Sequence, residues 1–488
     1  MENNINSRYS AAFILAAVGD ALGWPNESRS NNLIKSYNKY ETFQDWKRYT
    51  GGKYWKHQEI IKKGEYSDDT QLIISTARSL LRQKDWANNF YNIELPFWLE
   101  YERGGGRATR TAAKILKRGQ KPWLGTNKEL TEYFNAGGNG VAMRILPHVV
   151  YEQHNIKNLI GKVVINGMYT HGHPRALIGA TCYAYALEIF SQKQDVLKYG
   201  ELVEKLIEDK EIWTTFPNIE RVEEWKKQFE KIHKNEFDIV WKENVDIIIN
   251  ELKQIRENLK RGVLDVTSNS LEKLGVFDKK IGGAGDITTV AAIYLASKYA
   301  TDPQKAIIEA ANLKGADTDT IASMTGALLG MLYGEEIIPI QWLAVQDCNF
   351  LRKLPQYLLD PTLYNKVEQN KDCKYINSPI GKITEEYSEI NIRKQEKKVV
   401  TRKYQTVFGQ SLYIKEYTKL KEEKQPNVIN TEKIKKEILN IKELNHLNLK
   451  EYINCLYEIL NGSREEDIIK KYKINNSTIE KIKKMYKN

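Results

Sequence analysis

The sequence predicts an all-α protein: a large helical body followed by a small C-terminal module of helix-turn-helix type. Three observations carry that expectation. Apolar residues from Arg8 to about Pro355 recur at helical spacing, strand-like alternation is scarce, and helical periodicity returns beyond Asn430 after a polar, lysine-rich interruption from about Glu385 to Gln425. At 488 residues the chain exceeds the span of one hydrophobic core. The expected boundaries are 1–375 for the body, 376–428 for a lysine-rich linker or small β element, and 429–488 for the terminal helices.

Taken in order, Ala11, Ile14, Leu15 and Val18 fall on one face of a first helix, and Leu72, Ala77, Leu80 and Leu81 do so in the next segment. A charged stretch from about Gly200 to Leu264, punctuated by Trp213, Trp225 and Trp241, reads as amphipathic helices covering the body. In the linker, Val399–Val400 and Val407–Tyr413 have short strand character. Near the end, Ser463-Arg464-Glu465-Glu466 reads as a capping box opening a helix with Ile468, Ile469 and Tyr472. A turn at Lys473-Ile474-Asn475 follows, then a helix capped by Asn476 or Ser477, with Ile479, Ile482 and Met485 inward and Lys481, Lys483, Lys484 and Lys487 outward. With Leu447–Leu460 as a supporting helix, this pattern makes DNA an expected partner, through Ser477, Lys481 and Lys484. A helical interaction module with a solvated basic face accounts for the same pattern.

Composition narrows the function class. Hydrophobic residues at 41% and charged residues at 28% exclude a wholly disordered or membrane-embedded chain. The most apolar runs, Ala11–Val18 and Met324–Tyr333, are too short to cross a bilayer, and no secretory leader pattern opens the sequence, so a cytoplasmic protein without membrane contact is expected. Cys182, Cys348, Cys373 and Cys455 are widely scattered, which indicates neither a disulfide framework nor a zinc site. The net charge of +11 is uneven: from Tyr375 to Asn488 there are 24 basic and 16 acidic residues, so the tail rather than the body would meet a polyanion.

Three motifs share one grammar, small or acidic residues in a loop followed at once by an apolar helix. They are Gly19-Asp20-Ala21-Leu22-Gly23-Trp24-Pro25-Asn26-Glu27, Ser67-Asp68-Asp69-Thr70, and Gly315-Ala316-Asp317-Thr318-Asp319-Thr320. Helix capping needs one acceptor, whereas Asp68 with Asp69 and Asp317 with Asp319 crowd like charges that a cation must offset. The donors Ser67, Asp68, Asp69, Asp317, Asp319 and Thr320 are all oxygens, which suits Mg²⁺ or Mn²⁺ and disfavours zinc or copper. Six oxygens from two loops exceed what one magnesium takes from protein, so a pair of ions is expected.

With Gly138-Asn139-Gly140-Val141-Ala142-Met143-Arg144 and Thr170-His171-Gly172-His173-Pro174 between them, these motifs resemble, in their order, the ADP-ribosylglycohydrolase family over roughly Arg8 to Pro339. The resemblance implies an all-α fold, a centre of two Mg²⁺ ions with Mn²⁺ as a substitute, and hydrolysis of the glycosidic bond between ADP-ribose and a protein or nucleic-acid acceptor. It implies that Ser67, Asp68, Asp69, Asp317, Asp319 and Thr320 are the metal ligands, with Asp319 bridging. Glu27, Asp68 and Asp319 would be the catalytic set, Glu27 as acid or base. The turn Arg103-Gly104-Gly105-Gly106-Arg107 resembles the family's diphosphate turn, although Gly104 stands near where other members place an aspartate. The implied substrate contacts are Glu27, Gly105, Gly106, Gly138, Asn139, Gly140, Met143, Arg144 and His171, with Ala136 where some members carry a hydroxyl. His173 reads as a turn residue. A second reading is an ADP-ribose-sensing DNA-binding regulator with little or no turnover, for which the basic tail speaks.

Overall fold

The computed structural model describes residues 2–27, 41–52, 54–220, 222–364, 382–390, 397–406, 409–419, 446–447, 451, 454–455, 458–459 and 463–487. The chain divides into two units: Met1–Tyr49 with Glu59–Leu363, and Thr50–Gln58 with Tyr364–Asn488.

The first unit is all-α around the helices that carry the motifs. These are α1 (Glu2–Gly23), α2 (Asp68–Leu80), α3 (Arg107–Lys117), α4 (Pro174–Gln192), α5 (Gly285–Lys298) and α6 (Thr318–Tyr333). The first helix is not amphipathic as its apolar spacing suggested: every residue from Tyr9 to its end is buried. A helix enclosed on all sides belongs at the centre of a bundle. Its partner is α6, buried from Thr318 to Leu332.

The two pack antiparallel along a seam of small residues. A Cβ on Gly19 would lie 2.1 Å from the Ala322 carbonyl oxygen, and one on Gly23 would lie 2.3 Å from that of Thr318. Reciprocally, Gly326 faces the Leu15 carbonyl at 2.2 Å and Gly330 the Ala11 carbonyl at 2.6 Å. One such contact per turn lets backbone touch backbone, which any larger side chain would forbid. The seam sets the C-terminal end of α1 beside the N-terminal end of α6, and Thr318 Oγ1 locks it by donating to the Gly23 carbonyl at 2.7 Å. A similar approach joins α4 to α5, where a Cβ on Gly179 would meet the Gly285 carbonyl at 2.3 Å.

Trp213, Trp225 and Trp241 are buried along Lys210–Thr214, Val222–His233 and Phe237–Lys260. Each indole N–H finds an acceptor, at Leu206 O, Tyr133 Oη and Thr214 O respectively. Sequence periodicity missed the two-stranded sheet of β1 (Trp46–Thr50) and β2 (His57–Ile61), whose strands are only five residues long.

In the second unit, β3 (Lys382–Ile390), β4 (Lys397–Gln405) and β5 (Ser411–Lys419) form an antiparallel meander where a linker or small β element was expected. Tyr387 pairs with Thr401 and Thr401 with Lys415. Val399, Thr401, Leu412 and Tyr413 are its buried residues of lowest exposure. Val407 lies outside the described residues, so strand character there begins at Ser411.

Further on, α7 (Glu465–Tyr472) and α8 (Asn476–Lys487) are joined through Lys473, which is left-handed at φ 53°. Both expected caps are corrected. Arg464, not Ser463, stands at the N-cap of α7 and makes no side-chain cap bond, so the capping box is absent. The acceptor at the start of α8 is Asn475, whose Oδ1 takes the Thr478 amide at 2.8 Å and its hydroxyl at 2.9 Å. The turn keeps its expected three residues, and its last one serves as the cap because the helix begins at Asn476. Ile468, Tyr472, Ile474 and Ile479 are buried, and of the supporting segment Cys455 and Ile459 are buried too.

Candidate active site

Asp20 organises the site from inside α1. It is fully buried, and its two carboxylate oxygens accept from the Ser67 amide at 2.9 Å, the Thr70 amide at 3.0 Å and the Thr70 hydroxyl at 2.6 Å. One aspartate thereby satisfies amides at the start of α2 that no intrahelical carbonyl reaches. Ser67 is the N-cap, accepting from the Asp69 amide at 3.3 Å, and Asp68 and Asp69 occupy the first turn, where the helix dipole favours negative charge. After α1 the chain makes one 3₁₀ turn, Trp24–Asn26, held by Asn26 Nδ2 donating to the Ala311 carbonyl at 3.0 Å. That turn delivers Glu27 beside the start of α6. Ligand oxygens of Glu27, Asp317 and Asp319 all lie within 4.8 Å of one another.

The cluster is electrostatically loaded. Burial, then the carboxylates of Glu102, Asp20 and Glu27, holds Asp68 well above the usual carboxylate range. Burial with Asp20, Asp68 and Asp317 does the same to Asp69, and burial with Glu27, Asp317 and Asp69 to Asp319. Asp69 Oδ2 is enclosed yet has no hydrogen-bond partner among the described residues. Asp319 Oδ1 accepts the adjacent Thr320 amide at 2.9 Å. Crowded carboxylates, an orphaned buried oxygen and an all-oxygen donor set fit a hard divalent cation and fit a thiophilic metal poorly.

Around the cluster stand three loops. In the Gly-rich turn, Arg103 is fully buried against Glu59 at 3.1 Å and Glu65 at 2.8 Å, which fixes the strand of glycines that follows. Gly104 has φ 103°, in the region that favours glycine, and the Gly105 amide donates to Glu102 Oε2 at 3.0 Å. Gly106 is the N-cap of α3 and offers no side chain to its first amides. In the second loop, the Asn139 amide donates to the Gly283 carbonyl at 3.0 Å, while Nδ2 reaches Thr288 Oγ1 at 3.1 Å and Asp317 Oδ2 at 3.0 Å. Gly138 bridges to Ala284.

Arg144 and Met143, read from the sequence as substrate-facing, turn into the protein. Arg144 is wholly buried and spends its guanidinium on the Gly140 carbonyl, both oxygens of Asn166 and the Thr170 hydroxyl, all within 2.9 Å. Arg144 braces the loop, and Met143 is buried at 5% exposure. In the third loop, Thr170 Oγ1 lies 2.8 Å from His171 Nδ1, while burial and then Arg144 push the imidazole down to about 3, which keeps it neutral. His171 Nε2 lies 3.2 Å from where a Cβ of Gly140 would be. His173 caps α4, accepting the Arg175 amide at 3.2 Å.

Sequence reasoning named Asp20 within a motif but gave it no role, and passed over Glu102 and the run Gly282-Gly283-Ala284-Gly285-Asp286. That run has the same small-residue-then-apolar-helix grammar as the three motifs it accompanies, so the signal was available. In the second unit, Ser477 is exposed, and the side chains of Lys481 and Lys484 lie outside the described residues.

Comparison with known proteins adds an independent line. The ADP-ribosylglycohydrolase family profile matches residues 1–371. The chain is similar to ADP-ribosylhydrolase ARH3 of Xenopus tropicalis, 26% identical over 355 residues that span 69% of this chain and 90% of the relative. It is also similar to the ADP-ribosyl-dinitrogen reductase glycohydrolase of Rhodospirillum rubrum, 22% identical over 352 residues, 72% of this chain and 94% of that one. A solved chain described as an ADP-ribosylglycohydrolase-related protein complex covers 73% of this chain and 98% of its own length at 22% identity, with a TM-score of 0.46.

Proposed function

We propose a function from one premise: the chain belongs to the ADP-ribosylglycohydrolase family. It is an ADP-ribosyl hydrolase that removes ADP-ribose from an acceptor by cleaving the glycosidic bond. The finer reading concerns the metal, the residues and the partner. Two Mg²⁺ ions, replaceable by Mn²⁺, would be held by Ser67, Asp68, Asp69, Asp317, Asp319 and Thr320, with Asp319 shared. The observation that supports this most strongly is the convergence of Glu27, Asp317 and Asp319 within 4.8 Å. When bound, such ions offset the crowded carboxylates and lower the pKa of water.

The chain's own groups then divide the work. Asp68 and Asp319 would orient the attacking water toward the anomeric carbon, where an oxocarbenium-like transition state forms, and Glu27 moves a proton between water and the leaving acceptor. Amides at Gly105 and Gly106 hold the diphosphate, the Gly105 amide by exchanging its bond to Glu102 for one to the ligand. Gly138, Asn139, Gly140 and the neutral imidazole of His171 line the ribose side, with Asn139 oriented by Thr288 and Asp317. Arg144 and Met143 support that loop from within.

We place the protein in the cytoplasm. Among the described residues no helix is long and apolar enough to cross a membrane, and Cys182, Cys348 and Cys455 are free thiols. The division at about residues 375 and 428 separates catalysis from a C-terminal module that would contact DNA. The regulator reading draws on the same module: a helix, a three-residue turn with left-handed Lys473 and a second helix capped by Asn475. Release of free ADP-ribose by the full-length protein from serine-linked, arginine-linked and DNA-linked substrates, with Mg²⁺ and with chelator, separates the two. Magnesium-dependent release from one substrate is expected and names the acceptor. Binding of ADP-ribose with no release from any would transfer the assignment to the regulator.

A further inference from the structure

We propose that the indole N–H of Trp24 is a positioning donor for one hydroxyl oxygen, from a bound water or from the substrate's ribose, seated between Trp24, Asp68 and Gly104. The inference rests on the hydrolase reading above and adds a residue to it. Trp24 is fully buried, and its Nε1 has no hydrogen-bond partner among the described residues. A buried indole ordinarily finds an acceptor, as Trp213, Trp225 and Trp241 do here. A phenylalanine would fill the same interior without an orphaned donor.

The N–H lies beside the bare face of Gly104 at the acidic cluster. A Cβ on Gly104 would lie 2.9 Å from Asp68 Oδ1, 3.4 Å from Trp24 Nε1 and 3.5 Å from Ser67 Cβ. These groups converge on the one face of Gly104 that any other residue would fill, and φ 103° already excludes most of them. The walls are fixed. Trp46 packs edge-on to the Trp24 ring at 5.1 Å, and the guanidinium groups of Arg48 and Arg103 lie 5.0 and 5.8 Å from its centroid. Both arginines share Glu59, at 2.8 and 3.1 Å. Cations over an indole draw density from its ring and strengthen the N–H as a donor.

This position selects its occupant by hydrogen-bond arithmetic. Trp24 can only donate, so an apolar atom would leave the indole unpaired. A hydroxyl accepts from it and can pair with the Asp68 carboxyl as donor or as acceptor, whichever that carboxyl requires.

Trp24→Phe in the full-length protein tests this, because it deletes the N–H and keeps an aromatic ring against Trp46 and Arg48. Loss of one neutral hydrogen bond corresponds to about a 3- to 10-fold effect. If the hydroxyl is the ribose's, affinity for free ADP-ribose falls by that factor with kcat little changed. If it is a water's, kcat falls by that factor and ADP-ribose affinity holds. A folded variant with both quantities within twofold of the parent overturns the inference. Should the parent release no ADP-ribose, the hydrolase reading has failed, and ADP-ribose affinity alone decides for Trp24. If the variant does not fold, ¹⁵N spectra of the parent's indoles decide instead: the Trp24 N–H must resonate downfield as a hydrogen-bonded proton, already in the free protein if the oxygen is a water's or on adding ADP-ribose if it is the ribose's, and a non-bonded position in both states overturns the proposal.

Discussion

The two units handle charge in opposite ways. In the helical body Asp20, Asp68, Asp69 and Asp319 are at most 6% exposed; burial raises each of them, and neighbouring acids add to it at Asp68, Asp69 and Asp319. In the C-terminal unit acids stand opposite bases near the surface: Glu416 with Arg402 at 2.6 Å, Glu458 with Lys471 at 2.5 Å, and Glu465 with Lys483. Burying like charges opposes folding, so such an arrangement points to a ligand that offsets it. Exposed pairs cost little and specify little. The contrast separates charge that reports a site from charge that reports a surface.

The strongest way to break that contrast is to neutralise one buried acid. Asp319→Asn should lower turnover by at least about 100-fold, the scale of losing one preorganised electrostatic contact. In chelator the variant should be no less stable than the parent, because a like charge has been removed while an acceptor for the Thr320 amide remains. With Mg²⁺ the parent's Tm should rise and the variant's should not. Thermal melts with and without metal, beside release kinetics, check all three. A variant that melts early in chelator would make Asp319 a structural acid.

Next in size is the seam that holds the acidic loops together. Gly326→Ala places a methyl where the Leu15 carbonyl now lies at 2.2 Å, and should destabilise by about 3 kcal/mol as overpacking in a core does. Gly161→Ala, in the helix Ile156–Met168, meets nothing within 4 Å and should stabilise by up to about 1 kcal/mol through helix propensity. Denaturant titration of the two sharpens the point that small residues in this body are positional.

A third test uses pH. Glu251 is raised to about 9 by burial and then by Asp286, against the opposing pull of Arg175. Below its ordinary value of 4.5 both folded and unfolded chains carry the proton. Between there and about 9 the unfolded chain ionises first, so stability falls as pH rises, by at most about 1.4 kcal/mol per unit from this group. Above that range the slope vanishes. Glu251→Gln should flatten the profile across that window, measured as denaturation midpoint against pH, and an unchanged slope would remove Glu251 from the cause.

What could be read from the sequence follows from range. Asp68 with Asp69 and Asp317 with Asp319 are visible because the anomaly, two acids where a cap needs one, sits within three residues. Asp20 is not, because its partners Ser67 and Thr70 are 47 and 50 residues away. The glycines of α1 and α6 look like helix weakeners until the facing carbonyls are seen. Periodicity placed α1 as amphipathic because half of a fully buried helix is still apolar at helical spacing, and the inward turn of Arg144 depends on Asn166 and Thr170, 22 and 26 residues on.

The smallest expected effect lies in the other unit. Lys483 is paired with Glu465 across α7 and α8 and approaches Glu480 at 3.7 Å. Its pKa is raised, first by the bond to Glu465, but both partners keep solvent contact, so the pair is screened and contributes little. Lys483→Ala should therefore leave the denaturation midpoint and the release of ADP-ribose from a small substrate unchanged within error. Any loss it causes should appear only with a polyanionic substrate, and should shrink as salt is added, because removing one phosphate contact lowers the salt slope by about 1. A drop in small-substrate turnover would mean that the basic tail serves the reaction itself, and the division between a charged site and a charged surface would have to be redrawn.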